Sequence, residues 1–190
     1  MKNFRVYMAG PDVFLDDELR RFVVESKKRI LKTLGLEGID PLDNSLDIKN
    51  MLPKEAGLAI YRSNIGLIQS CDAAIFNLTP FRGVSADAGT VFELGFAAAT
   101  GKPMSAYTLS NRNYSERIPR HDVHKRYDGN LHEIEEFSMV DNLMIESALI
   151  DKGFKIIKAG IPSPPGELFE VGVFTEAAEA LSEAMRKHYG

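Results

Sequence analysis

The run "SADAGTVFELGFAAATG", from Ser85 to Gly101, reads as a buried helix, yet Glu93 stands in it between Phe92 and Leu94. An ionised carboxylate held away from water is costly unless it is paired or its pKa rises. A carboxylate kept in such a place suits acid–base or covalent chemistry. Asp87 lies six residues earlier, so the two acids do not share a helical face if both are helical. If the helix begins just after Asp87, that residue caps it and Glu93 lies about a turn and a half inside. The N-terminal field favours anions but fades beyond the first turn. Two plainer readings stand beside the functional one. Asp87 serves only as a cap, contributing about 1 kcal/mol, or Glu93 simply reaches water. Gly89 and Gly95 flank the glutamate, and glycine costs up to about 1 kcal/mol in a helix interior relative to alanine. Two glycines around a half-buried carboxylate favour a pocket.

Other chemistries find little support. "AGPDVF" lacks the second and third glycines of a dinucleotide fingerprint, and no phosphate-binding "GxxxxGK[ST]" occurs. Ser45 and Ser85 have no histidine at a motif spacing, which leaves a nucleophilic triad unsupported. His121, His124, His132 and His188 match no zinc spacing and read as solvated side chains. Cys71 is the only cysteine, so no internal disulfide forms and a reducing setting fits. Asp72 falls at the start of a strand and is assigned a structural role. The net charge is −4 with no long basic block, which argues against a nucleic-acid backbone as partner. Apolar residues are 44% and charged residues 26%, ordinary for a soluble globular protein. The opening "MKNFRVYMAGPDVF" holds no signal-like apolar stretch, and no 18-residue apolar run occurs. A cytoplasmic protein without membrane contact is expected.

These residues need elements to hold them. "NFRVYM" (3–8), "GLEGID" (35–40), "DAAIFNL" (72–78), "PMSAYTL" (103–109) and "FKIIK" (154–158) read as strands. Between them, 16–34, 54–70, 85–101 and 138–150 read as helices, and a last helix spans about Thr175 to Lys187. Residues 110–137 read as a polar, irregular loop, a candidate lid or rim. The alternation predicts one α/β domain over 1–190: a flavodoxin-like, doubly wound, five-stranded parallel sheet in the order 2-1-3-4-5, with helices on both faces. Such sheets bind ligands beyond the carboxyl ends of their strands, near the reversal of strand order. That rule selects Tyr7, Gly10, Pro11, Asp12 and Phe14 after strand one. It selects Asp43 and Asn44 after strand two, and loop 79–86 with Asp87, Gly89 and Glu93 after strand three.

"VYMAGPDVF", "NIGLIQSCDAAIFNLTPFRG", "DAGTVFELGFAAATGKP" and "DNLMI", in that order, resemble the nucleoside 2-deoxyribosyltransferase family over most of residues 4–158. The resemblance implies transfer of 2-deoxyribose between nucleobases, with no metal or organic cofactor. It places the nucleophile on Glu93 and the tyrosine that holds it on Tyr7. It places the base-contacting, base-protonating acid on Asp87. A base-contacting position falls on Asn64, where some members carry aspartate. Asn142 falls where the family reaches into a neighbouring subunit's site and binds sugar hydroxyls, so a homo-oligomer, dimer or higher, is implied.

On this reading the carboxylate attacks C1′ and forms a covalent deoxyribosyl-enzyme, and a second base attacks from the same face. Deoxyribonucleosides and free bases are the expected partners, because a 2′-hydroxyl would crowd the carboxylate. The nearest alternative is a 2′-deoxynucleoside 5′-phosphate N-hydrolase. There the place of Asp87 resembles a phosphate-binding serine; aspartate repels phosphate, although Arg82 attracts it. A second alternative is a non-catalytic nucleoside-binding module.

Overall fold

A computed structural model describes residues 3–44, 46–161, 164 and 166–190. Five parallel strands form one sheet in the order β2-β1-β3-β4-β5. They are β1 (Phe4–Ala9), β2 (Leu36–Ile39), β3 (Ala73–Asn77), β4 (Met104–Thr108) and β5 (Ile156–Lys158). The helices are α1 (Asp17–Thr33), α2 (Pro53–Ser70), α3 (Ala88–Ala99), α4 (Tyr114–Arg117), α5 (Leu143–Ile150) and α6 (Val171–Tyr189). This is the flavodoxin-like doubly wound fold.

Period-two alternation in β1 divides the core. Val6 and Met8 join the layer beneath α1 and α6, whereas Tyr7 and Ala9 join the layer beneath α2, α3 and α5. β1 is flanked on both sides, Tyr7 standing level with Ile39 of β2 and Ala74 of β3. Strands buried on both faces carry apolar residues on both faces, as "AAIFN" does in β3. The order reverses between β1 and β3, so the loops after these two strands border the crevice that such sheets use for ligands.

Side-chain caps place the helix ends. Asp16 accepts from the backbone N–H groups of Glu18 and Leu19 and starts α1. Glu170 starts α6 at Val171, four residues ahead of the expected Thr175. Asn142 starts α5 at Leu143, five residues after the expected start, because its Oδ1 accepts from Met144 N. The 110–137 stretch is less irregular than its composition suggests. It contains α4 and two antiparallel bridges, Arg120–Asp128 and Tyr127–Glu133, stapled by Arg120–Glu136 and Arg126–Glu133 ion pairs. Asp72 Oδ2 accepts from Arg5 N, a backbone tie at the amino end of the sheet. Ser45 and parts of "IPSPPG" lie outside the described residues. Among the described residues no helix is long and apolar enough to cross a membrane.

Candidate active site

The site is assembled from three elements. β1 carries Tyr7 pointing toward the α2/α3 layer, fully buried. α3 carries Glu93, half-buried, a turn and a half after the cap. α2 brings Asn64, which lies one turn before the buried Leu67 and Ile68 and so faces the sheet. Tyr7 Oη donates to Glu93 Oε1 at 2.8 Å, and Asn64 Nδ2 donates to the same oxygen at 3.2 Å. Glu93 Oε2 has no hydrogen-bond partner among the described residues. One oxygen is therefore held by two donors while the other accepts from none of the described residues.

Burial pushes the Glu93 carboxyl above its ordinary range, and the nearby Asp87 charge adds to the rise. The Tyr7 and Asn64 hydrogen bonds pull the other way and partly restore the ionised form. Tyr7 itself is pushed far up, first by burial and then by the adjacent Glu93 charge, so it stays a neutral donor. Tyr7→Phe removes that donor while keeping the ring. We expect kcat to fall by about 10- to 100-fold with KM little changed, the scale for a misplaced reacting group. Steady-state kinetics would check this.

Asp87 is the N-cap of α3. Its Oδ2 accepts from Thr90 N at 2.9 Å and from Thr90 Oγ1 at 3.1 Å. Its Oδ1 has no hydrogen-bond partner among the described residues. The capping reading and a chemical one are thus compatible: one oxygen is engaged by the cap and the other accepts from none of the described residues. A Cβ on Gly89 would come within 3.1 Å of Asp87 Oδ2, so this glycine makes room for the cap. Nothing lies within 4 Å of a Cβ on Gly95, which leaves the helix surface beside Glu93 bare. The expected close approach is therefore absent within this chain at Gly95, and at Gly89 it is that of the capping carboxylate.

The residues picked by the strand-edge rule separate into two groups. Phe14 is 52% exposed and stacks on Phe81 at 5.1 Å, joining the loops after β1 and β3. The Arg82 guanidinium lies 4.7 Å from both ring centroids. Gly10 answers a packing demand, since a Cβ there would stand 2.7 Å from both Asn77 Cβ and Asp12 Oδ2. Asp12 turns into the opposite layer and pairs with the buried Lys27 at 2.5 Å, an internal brace for the Gly10–Phe14 turn. Asp43 is bound by Lys28 Nζ at 2.6 and 2.7 Å and accepts from Asp40 N. It is not part of the Tyr7–Glu93–Asn64 cluster. Asn142 Nδ2 donates to Glu135 Oε1 at 2.8 Å, which ties the 110–137 excursion to the start of α5.

Two acids next to expected residues escaped the reading of the sequence. Asp40, buried after β2, lies near enough for its charge to act on Tyr7. Asp141, 1% exposed, accepts from Ser85 Oγ, Ala86 N and Asn142 N and faces Arg117 at 3.5 Å. It clamps the approach to Asp87 and the start of α5 to one carboxylate. The only available signals were the acids in "DPLD" and "VDN", and neither carries a periodicity that marks burial.

The chain is a flavodoxin-like α/β protein with a donor-held carboxylate beside its topological switch point. Residues 6–144 match the family model described as nucleoside 2-deoxyribosyltransferase, and the chain belongs to that family. An uncharacterised protein of Schizosaccharomyces pombe is 37% identical over 115 residues, which cover 60% of this chain and 54% of the relative. The chain thus spans about half the length of that curated relative. A 2-deoxyribosyltransferase from Leishmania mexicana superposes with a TM-score of 0.61 at 29% identity, over 75% of this chain and 85% of that one. A conserved protein from Enterococcus faecalis V583 shares the fold, with a TM-score of 0.50 at 19% identity over 98% and 99% of the two chains.

Proposed function

We propose that the chain transfers 2-deoxyribose between nucleobases through a covalent deoxyribosyl-Glu93 intermediate. The observation that carries this reading is the asymmetry of Glu93: Oε1 held by Tyr7 and Asn64, Oε2 unclaimed. Family membership and the likeness to the Leishmania mexicana enzyme support it. A lone pair on Oε2 forms the bond to C1′ of a deoxyribonucleoside. The C1′–N bond breaks with its electron pair going to the base, and Asp87 gives that base a proton. The incoming base then attacks C1′, its proton passes to Asp87, and the C1′–O pair returns to the carboxylate. Two inversions leave the anomeric configuration retained. No step calls for a metal or organic cofactor.

An oligomer with Asn142 contributed across the interface belongs to the same proposal. Its support is large apolar side chains that this chain leaves exposed: Tyr61 and Phe92, with ring centroids 6.0 Å apart, and, on α5, Met144, 73% exposed two residues from Asn142.

One observation favours the nucleotide N-hydrolase as a second reading. Arg82 is exposed beside Phe14 and has no carboxylate partner among the described residues, so it remains free to meet a phosphate. Incubation with deoxyinosine plus adenine, and separately with deoxynucleoside monophosphates, distinguishes the two. We expect deoxyadenosine from the first mixture. Sugar phosphate released from the second without base exchange would overturn the transfer reading.

A further inference from the structure

The resemblance assigns position 64 to the substrate base, and in this chain the side chain there also donates to the carboxylate. Asn64 Nδ2 lies 3.2 Å from Glu93 Oε1, the oxygen that also receives Tyr7. A carboxylate only accepts, so the amide must present its nitrogen. The position is held from both sides along α2. Leu67 and Ile68 bury the following turn, and Tyr61 in the preceding turn packs against Phe92 of α3. Asn64 is therefore directed at the residue next to Phe92 by the same helix–helix contact that seats α2 on α3.

We propose that Asn64 is a positioning residue for the nucleophile: its amide holds Glu93 ionised and turns Oε2 toward the substrate. The groups around Glu93 leave it little other help. Tyr7 from β1 is the second donor, Asp87 at the start of α3 is a like charge, and Asp40 after β2 acts on Tyr7. No cation pairs with Glu93 among the described residues. With aspartate at position 64, two carboxylates would share the site, and one of them would hold a proton well into the neutral range. Asparagine and aspartate at this position are then two settings of the nucleophile's ionisation.

This inference rests on Glu93 as the nucleophile, so the test reads ionisation with and without turnover. For the wild type, Asn64→Asp and Asn64→Ala, the pH profile of kcat/KM for deoxyinosine and adenine is recorded. Asn64→Asp is expected to move the acidic limb up by about one pH unit or more. Asn64→Ala moves it the same way by less, with kcat reduced by about tenfold. Without turnover, thermal unfolding is compared for each protein with its own Glu93→Gln derivative across pH. The pH at which the two diverge marks the ionisation of Glu93, and it should rise in the Asn64→Asp background. A limb and a divergence point that stay in place while the preference among purine acceptors changes would make Asn64 a base contact and overturn the inference. A wild type that exchanges no base, yet whose divergence point moves on substitution, would defeat the transferase reading and leave this one standing.

Discussion

Glu93→Ala is expected to exchange bases at least about 10⁴-fold more slowly than the wild type, the scale of losing a covalent nucleophile. Its far-ultraviolet circular dichroism should be unchanged and its unfolding should remain cooperative. A half-buried carboxylate with no cationic partner among the described residues is not needed for folding, and removing it leaves no opposite charge stranded. Mass spectrometry after incubation with a 2-fluoro-arabinosyl nucleoside should show a sugar adduct on the wild type and none on the variant. A variant that still turns over at a tenth of the wild-type rate would remove Glu93 from the chemistry.

The same side chain should cost the fold stability, and the sign follows from its raised pKa. Below its ordinary value of 4.5, Glu93 is protonated in both folded and unfolded chains and carries no penalty. Above that, the unfolded chain ionises first, so the folded state loses stability until pH passes the raised folded value. Glu93→Gln keeps the shape and stays neutral. At about pH 8 it should therefore unfold about 2–4 °C above the wild type, the shift that roughly 1 kcal/mol gives in a chain of this size. In acid the two should coincide. Residues that do chemistry commonly carry such a cost.

The second large effect concerns the leaving base. Asp87→Asn should lower kcat by about 10²- to 10³-fold, the usual contribution of a positioned proton donor. Asparagine caps helices about as well as aspartate, so α3 should keep its start and the protein its stability. The loss should depend on the substrate. A 7-methylated deoxyguanosine already carries a cationic base and leaves without a proton. On that substrate, Asp87→Asn should come within about tenfold of the wild type, since no proton need be delivered. An equal loss on both substrates would mean that Asp87 serves only the cap through Thr90.

Much of the architecture was legible in the chain. Short apolar runs such as "AAIFN" alternate with amphipathic stretches such as "DELRRFVVESKKRILKT", and that alternation specifies a parallel sheet covered on both faces. Helix starts were less legible where the cap lay inside the apolar run. "SMVDNLMIESALI" carries an unbroken helical composition, yet Asn142 competes for the backbone N–H of Met144 and delays the start of α5 to Leu143. The excursion 110–137 concealed its order because its pairs are between charges separated by seven to sixteen residues, such as Arg126–Glu133 and Arg120–Glu136. No periodicity records such spacings.

For the site, the anomalous residue marks itself in the chain, whereas Tyr7 as its partner comes only from the resemblance, which gives Asn64 to the base. Glu93 in "VFELGF" marks itself, because a charge in an apolar helix is locally improbable, and Asp87 marks itself as a cap by its place before that helix. Those facts depend only on residues within a few turns. The donor set does not. Tyr7 lies 86 positions from Glu93 and Asn64 lies 29 from it; they converge because β1 and β3 sit side by side and α2 and α3 share one face of the sheet. The chain's own pattern determines which residues are buried and in which layer. Which oxygen of Glu93 is held, and that Asn64 reaches Glu93 at all, depends on the distance between layers, and only the packed tertiary structure sets that distance.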